Sequence, residues 1–291
     1  MTLSATAVHL GRIGVWSGEI RFAGPEAGVA AAKALEDFGW SSLWMPGGFD
    51  DRVLADIDRM LSATRTMTFA TGILNIWKYQ PAQVADWWRS QAPERQARVL
   101  IGLGVSHAPV IGDAYKRPVE TMRAYVQDLL DAGVPREHLC VAALGPKMLE
   151  LSAELTAGAH PYLVPPEHTA IARKTLGPDA LLAPEQGVVM ESDPARAREL
   201  ARQALATYLA LPNYLNSWRR LGFSEEDISG VSDRLVDALF AWGDVEAIRD
   251  RLQAHFDAGA DHVCLQVITG PIRGDTGPVQ AAWQELAAAL L

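Results

Sequence analysis

A single (β/α)8 barrel is the α/β fold class this sequence predicts, and three observations carry it. Short apolar runs rich in β-branched residues alternate with amphipathic stretches from one end of the chain to the other, the mark of parallel strands joined by crossover helices. Eight such runs occur, and eight strands with their helices fit a closed barrel better than an open doubly wound sheet. No Ser/Gly- or Pro-rich linker and no repeat beyond the βα alternation divides the 291 residues, so 1–291 reads as one domain.

The strands are expected at 11–16, 42–46, 67–73, 98–104, 139–143, 157–163, 187–190 and 261–268. Between the first two, Ala27, Ala30, Ala31, Ala34, Leu35 and Phe38 follow the i, i+3, i+4, i+7 pattern of a helix that stops at Gly39. Ser192-Asp193-Pro194 supplies a cap and a first-turn proline for a helix running through Ala197, Leu200, Ala201, Ala204, Leu205 and Tyr208. Asp244 caps the last crossover helix, whose inward face is Val245, Ile248, Leu252 and Phe256 and whose end is Gly259. From about 194 to 242 the chain holds more helix than one crossover needs, so a helical insertion near strand 7 is expected, as a lid or a dimer surface.

Hydrophobic residues make up 49% of the chain, enough for a sizeable core, and a net charge of −9 offers no basic footprint for a nucleic-acid backbone. The longest stretch without a charged residue, 203–218, contains Pro212, Asn213 and Asn216 and does not read as a membrane span. No basic residue precedes Arg12 and no apolar run follows it at once, so the expected location is cytoplasmic. Cys140 and Cys264 lie in apolar runs outside any CxxC spacing, which favours buried free thiols.

In such a barrel, ligands bind over the C-terminal ends of the strands, where loops converge and helix N-termini point inward. Trp16 and Trp77 sit at strand ends and suit the wall of a flat aromatic ligand, whereas Trp44, alternating with Leu43 and Met45, suits packing. The run Gly102-Leu103-Gly104-Val105-Ser106-His107 has His where a dinucleotide fingerprint needs a third Gly. Its glycines serve either a ligand or close packing of the strand end. Gly145-Pro146-Lys147 opens a helix that continues through Met148; it is either an ordinary turn or an anion site built from backbone N–H groups with the Lys147 charge. The seven histidines show no zinc-ligand spacing. His138, His255 and His262 fall at structural positions, while His107 and His168 fall in strand-end loops, where an imidazole could pass a proton or hydrogen-bond a cofactor ring.

At these residues the chain resembles the luciferase-like superfamily of flavin and deazaflavin oxidoreductases, and within it the actinobacterial-type branch of coenzyme F420-dependent enzymes. The matching words are 10–16 (LGRIGVW), 70–77 (ATGILNIW), 103–107 (LGVSH), 143–148 (ALGPKM), 165–169 (PPEHT) and 258–263 (AGADHV). The resemblance implies a cofactor across the strand ends, a homodimer, and a cis peptide at Gly72-Ile73 that bulges against the ring near Asn75. It places Gly104, Val105, Ser106 and His107 beside the ring and the phosphate on Gly145 to Met148. Relatives often carry an acidic residue or His after the second strand, whereas this chain has Pro46-Gly47-Gly48; Asp50 or Asp51 could substitute.

The function expected from the resemblance is hydride transfer between F420 and a small organic substrate. His107 would be the proton donor, Asp50 second, and His168 with Trp16 would touch the cofactor. The alternatives are an FMN-dependent monooxygenase on the same fold and a deazaflavin- or flavin-binding protein without turnover.

Overall fold

Residues 6–47 and 50–291 are described by the computed structural model. Their strands are β1 (Ile13–Trp16), β2 (Ser42–Gly47), β3 (Thr68–Asn75), β4 (Val99–Gly104), β5 (Leu139–Val141), β6 (Gly158–Ala159), β7 (Leu181–Leu182), β8 (Glu185–Val189), β9 (Phe240–Trp242) and β10 (Val263–Val267). All pair in parallel, in the order β7-β6-β5-β4-β3-β2-β1-β10-β8-β9. The sheet curls, because the run 181–189 touches both sides of it. Leu181 N–H donates to Ala157 O at 2.7 Å, Ala183 N–H to Ala159 O at 2.9 Å and Glu185 N–H to Pro161 O at 2.9 Å, while Cys264 N–H donates to Pro184 O at 3.1 Å.

The helices start and stop where the sequence marks them. Pro25 opens the helix Pro25–Phe38, and Gly39, at φ +100°, ends it by turning its N–H back to Leu35 and Glu36 carbonyls. The Asp193 and Asp244 side chains cap Pro194–Leu205 and Val245–Asp257 by accepting from Arg196 and Ala247 N–H.

Two expected strands differ. The sixth shrinks from 157–163 to β6, since Pro161 has no N–H for a ladder and Leu163 takes φ +53°. The seventh begins before 187 and is interrupted at Pro184 for the same reason. Phe240–Trp242, expected within the helical insertion, is the short strand β9 against β8. Between them run the helices Pro194–Leu205, Pro212–Arg220, Glu225–Ser229 and Asp233–Leu239, packed on their own apolar cluster of Trp218, Leu235, Val236, Leu239 and Phe240.

Inside the curl, Trp44 lies among Ala70, Leu100, Cys140, Ala183 and Cys264. Both cysteines are buried and free, as expected. No helix among the described residues is long and apolar enough to cross a membrane.

Entry into β3 is held by one carboxylate. Glu36 accepts the backbone N–H groups of Arg65 at 2.9 Å, Thr66 at 2.8 Å and Met67 at 3.0 Å. Burial opposes its charge, but these bonds win and hold its pKa down to about 2. A lowered folded value gives stabilisation that is complete above the ordinary 4.5 and lost as pH falls toward 2. Glu36→Gln should therefore cost about 1–2 kcal/mol at pH 7. Denaturant midpoints measured down the pH scale should show the gap to wild type closing below pH 4.

Candidate active site

A cavity of about 980 Å³ opens over the C-terminal ends of the strands. Its shape starts from close backbone approaches around β3. The Gly72-Ile73 peptide is cis, as the resemblance implied, and the pairing register shifts on both sides of it. A Cβ at Gly102 would fall 2.0 Å from Thr71 O, and one at Gly104 would fall 2.3 Å from Ile73 Cδ1. Close packing is thus what these glycines provide, and Gly104 also lines the cavity. Gly47 has a similar reason: a Cβ there would meet the Ile73 carbonyl at 3.1 Å. The bulge occupies the space that a polar side chain at 47 would need; Gly48 lies outside the described residues.

Trp16 Nε1 donates to Gly72 O at 3.2 Å and begins an aromatic wall. Ring centroids follow at 5.3 Å to Tyr162, 5.6 Å on to Tyr208 and 5.1 Å on to Tyr214. Tyr162 donates its only proton to Gln266 Oε1 at 2.7 Å, so in the 2.9 Å contact between the two hydroxyls Tyr208 is the donor. Tyr162 is set by its neighbour Leu163, whose N–H donates to Glu185 Oε2 at 3.1 Å. Burial of Glu185 raises its pKa to about 8, which outweighs that bond. At the floor, His160 stacks on Trp44 at 4.3 Å and donates Nδ1–H to Ala183 O at 2.8 Å; burial lowers its pKa to about 4.

His107 lines the cavity beside the Tyr214 end of that wall, its ring 5.5 Å from Tyr214, with Nδ1 2.8 Å from Asn213 Oδ1. Burial lowers its pKa, against the Asn213 bond, so the ring is neutral at pH 7. Further round, Gly145 is the N-cap of the helix Pro146–Leu155; Pro146 has no N–H and Met148 N–H donates to Gly145 O at 3.2 Å, so the first turn leaves the Lys147 N–H without an intrahelical partner. Arg220 reaches this corner and donates to Leu144 O at 3.3 Å. It is the only Lys, Arg, Asp or Glu among the described lining residues. The loop that carries Pro271 and Ile272 closes the rim, tied down by Glu19, which accepts the N–H groups of Arg273 at 3.1 Å and Asp275 at 2.9 Å.

Of the residues expected at the site, Trp16, Gly72, Ile73, Gly104, Val105, Ser106, His107, Gly145 and Met148 line this cavity together. The others lie outside the lining. The Asn75 side chain accepts Trp77 N–H at 3.0 Å and is buried in the wall. Trp77 braces the loop from behind, donating to Val105 O at 2.7 Å. Pro146 and Lys147 face outward on their helix, and His168 is buried behind the loop, donating Nε2–H to Leu144 O at 3.0 Å. Asp50 is paired with Arg21 and Arg52. Burial opposes its charge, but the Arg52 backbone and side chain and the Arg21 guanidinium hold its carboxyl below the usual range. An ionised carboxylate committed to two arginines is not placed to give a proton in the cavity.

Sequence reasoning passed over Tyr162, Tyr208, Asn213, Arg220 and Gln266. Tyr162 and Gln266 sat inside expected strands. The other three belong to the segment between β8 and β9, Tyr208 in the turn after the helix that ends at Leu205, short of the expected run through Tyr208, and Asn213 and Arg220 in the helix Pro212–Arg220; no local spacing ties them to the strand ends.

The luciferase-like monooxygenase family model matches residues 131–262, from the end of the α-helix before β5 to the residue before β10. The luciferase-like resemblance holds. The chain is also 24% identical over 255 residues to a 5,10-methylenetetrahydromethanopterin reductase of Archaeoglobus fulgidus, covering 73% of this chain and 75% of that protein. Among solved structures it is similar to an F420-dependent secondary alcohol dehydrogenase in complex with an F420-acetone adduct (TM-score 0.71, 15% identity, 97% of this chain and 98% of that one). The coenzyme F420-dependent tetrahydromethanopterin reductase from Methanopyrus kandleri is equally similar (TM-score 0.71, 14% identity, 97% and 98%). The oxygenating constituent of 3,6-diketocamphane monooxygenase from Pseudomonas putida, in complex with FMN, follows (TM-score 0.64, 14% identity, 96% and 98%). At these identities the structural likenesses establish the shared luciferase-like fold.

The buried Glu185 gives a stability prediction. Its folded pKa is about 8 against an ordinary 4.5, so between those values the unfolded chain ionises while the folded carboxyl stays protonated, and folding loses stability as pH rises. Glu185→Gln keeps an acceptor for Leu163 N–H and removes the titration. From pH 5 to pH 8 the variant should gain on wild type by on the order of a few kcal/mol, read from urea midpoints at each pH.

Proposed function

We propose that this chain is an enzyme that transfers a hydride between the deazaflavin F420 and a small organic substrate. Residues 1–291 would form a barrel of eight strand positions, with β7 and β8 sharing one, β9 added beside β8 outside that count, and the helices between β8 and β9 inserted over the strand ends. The observation that carries the reading is that one cavity joins an aromatic wall to an anion-receptive corner, the two features that a flat ring with a phosphate-bearing tail requires.

The residues present fit such a cofactor. A flat ring would lie against Ile73, Trp16 and Tyr162, which line the cavity together. The corner at Gly145 is open enough for a phosphate, since a Cβ there would meet only Arg220 Nη2 within 4 Å, at 3.8 Å. The Lys147 N–H at the start of the helix and the Arg220 charge would hold it. When bound, F420 supplies two-electron hydride chemistry. The chain itself does the rest. The apolar lining excludes water, the wall orients the substrate, and His107, neutral at pH 7, exchanges a proton with it through Nε2. Asp50, ion-paired outside the lining, takes no part.

Three experiments test this. Quenching of tryptophan fluorescence by F420 should be saturable and selective over FMN. Preference for FMN would turn the reading to oxygen-dependent chemistry, and binding of neither would overturn both. Gly145→Trp, folded by circular dichroism, should weaken F420 about tenfold or more. His107→Ala should lower kcat about a hundredfold on an alcohol or imine that the wild type turns over, with F420 affinity unchanged; wild-type rates would remove His107 from the mechanism.

A further inference from the structure

We propose that Asn213 is a positioning residue that holds His107 as its Nδ1–H tautomer and so turns Nε2, as a proton acceptor, toward an O–H or N–H group of the substrate. The inference rests on the hydride-transfer reading for its chemistry, but its geometry stands alone. Asn213 Oδ1 lies 2.8 Å from His107 Nδ1, and an amide oxygen can only accept, so the ring nitrogen facing it carries the proton. A neutral imidazole has one N–H, which leaves the lone pair on Nε2. The next residue, Tyr214, sets the ring plane, its own ring lying 5.5 Å away at 44°. Among the described residues His107 forms no ion pair; the Asn213 amide is its hydrogen-bond partner and the Tyr214 ring packs beside it, with Ser106, Tyr115, Thr207 and Asn216 in the same cavity lining.

The helix Pro212–Arg220 that carries Asn213 is itself held in place. Tyr214 and Trp218 are buried on its inner face, and Trp218 Nε1 donates to Leu163 O at 3.4 Å. That helix comes from the segment between β8 and β9, so the proton-handling pair is assembled only when that segment is seated.

A fixed Nε2 acceptor narrows the substrate class. The group that fits has an exchangeable hydrogen on a heteroatom attached to the reacting carbon: an alcohol or amine in the oxidative direction, the matching carbonyl or imine in reverse. In the oxidative direction the substrate O–H or N–H bond breaks as the Nε2–H bond forms. A plain alkene gives Nε2 nothing to accept.

Long-range ¹H–¹⁵N correlation spectra of the whole ¹⁵N-labelled protein at pH 7, without cofactor or substrate, read the tautomer directly, with His107→Gln identifying the signals. Wild type should show a protonated Nδ1 and a bare Nε2. Asn213→Ala should lose that pattern for a mixture rich in the Nε2–H form, and Asn213→Asp should restore it while raising the His107 pKa through the added carboxylate. A protonated Nε2 in wild type, or an Asn213→Ala spectrum unchanged from wild type, would overturn the proposal. On an alcohol substrate, Asn213→Ala should lower kcat about tenfold with F420 affinity unchanged, and Asn213→Asp should recover it with the acid limb of the pH profile moved upward. The expected spectra without turnover of any alcohol or amine would retain the positioning role and overturn the substrate class. F420 failing to bind at all would count against the hydride-transfer reading alone.

Discussion

The inside of the sheet is filled by Trp44, which is fully buried. Ala70, Leu100, Cys140, Ala183 and Cys264 surround it, and its indole N–H donates to His262 Nε2 at 3.1 Å while His262 donates on to Gly11 O at 2.9 Å. The indole cannot rotate without abandoning a buried hydrogen bond. His160 rests on it and is fixed in turn, and Trp16 stands beside His160 on the first strand. The packed interior is therefore also the foundation of the cavity floor, and protein-wide stability and local geometry meet in one side chain.

Above that floor, shape depends on backbone meeting backbone. At Gly47, Gly102 and Gly104 the missing Cβ lets β2, β3 and β4 approach until Ile73 projects over Gly104. The same closeness explains why the end of the second strand carries no polar side chain at 47. The polar groups enter from elsewhere: Tyr162 after β6, Gln266 on β10, and Tyr208, Asn213 and Arg220 from the segment between β8 and β9.

Much of this was legible in the sequence because it rests on local rules. Asp193, Asp244 and Gly39 announce helix ends through their own side chain or backbone freedom, and the strand-end loops follow from the βα alternation. The lining at Trp16, Ile73, Val105, His107 and Gly145 was reachable from strand ends together with the family words. What escaped depends on tertiary contact. Nothing near Asn213 in the chain signals that it meets His107, 106 residues away, and nothing near Asp50 signals that Arg21 and Arg52 claim it. The truncated sixth strand and the interrupted seventh follow from Pro161 and Pro184, which apolar patterning alone does not register.

The direction of the hydrogen bonds gives the cavity a polarity that its residue list does not. Tyr208 has committed its proton to Tyr162 and Tyr162 its own to Gln266, so the Tyr208 oxygen offers only lone pairs. His107, its Nδ1 proton held by Asn213, offers a lone pair too. Among these groups, acceptors stand along the aromatic wall and at His107 beside it, while the donors are Arg220 and the Lys147 N–H at the Gly145 corner. A ligand seated here is asked for hydrogen-bond donors at one end and negative charge at the other, and reversing it would set lone pairs against lone pairs in an apolar enclosure, where an unmet polar group is most costly. Orientation is in this way imposed by the protein before any chemistry begins.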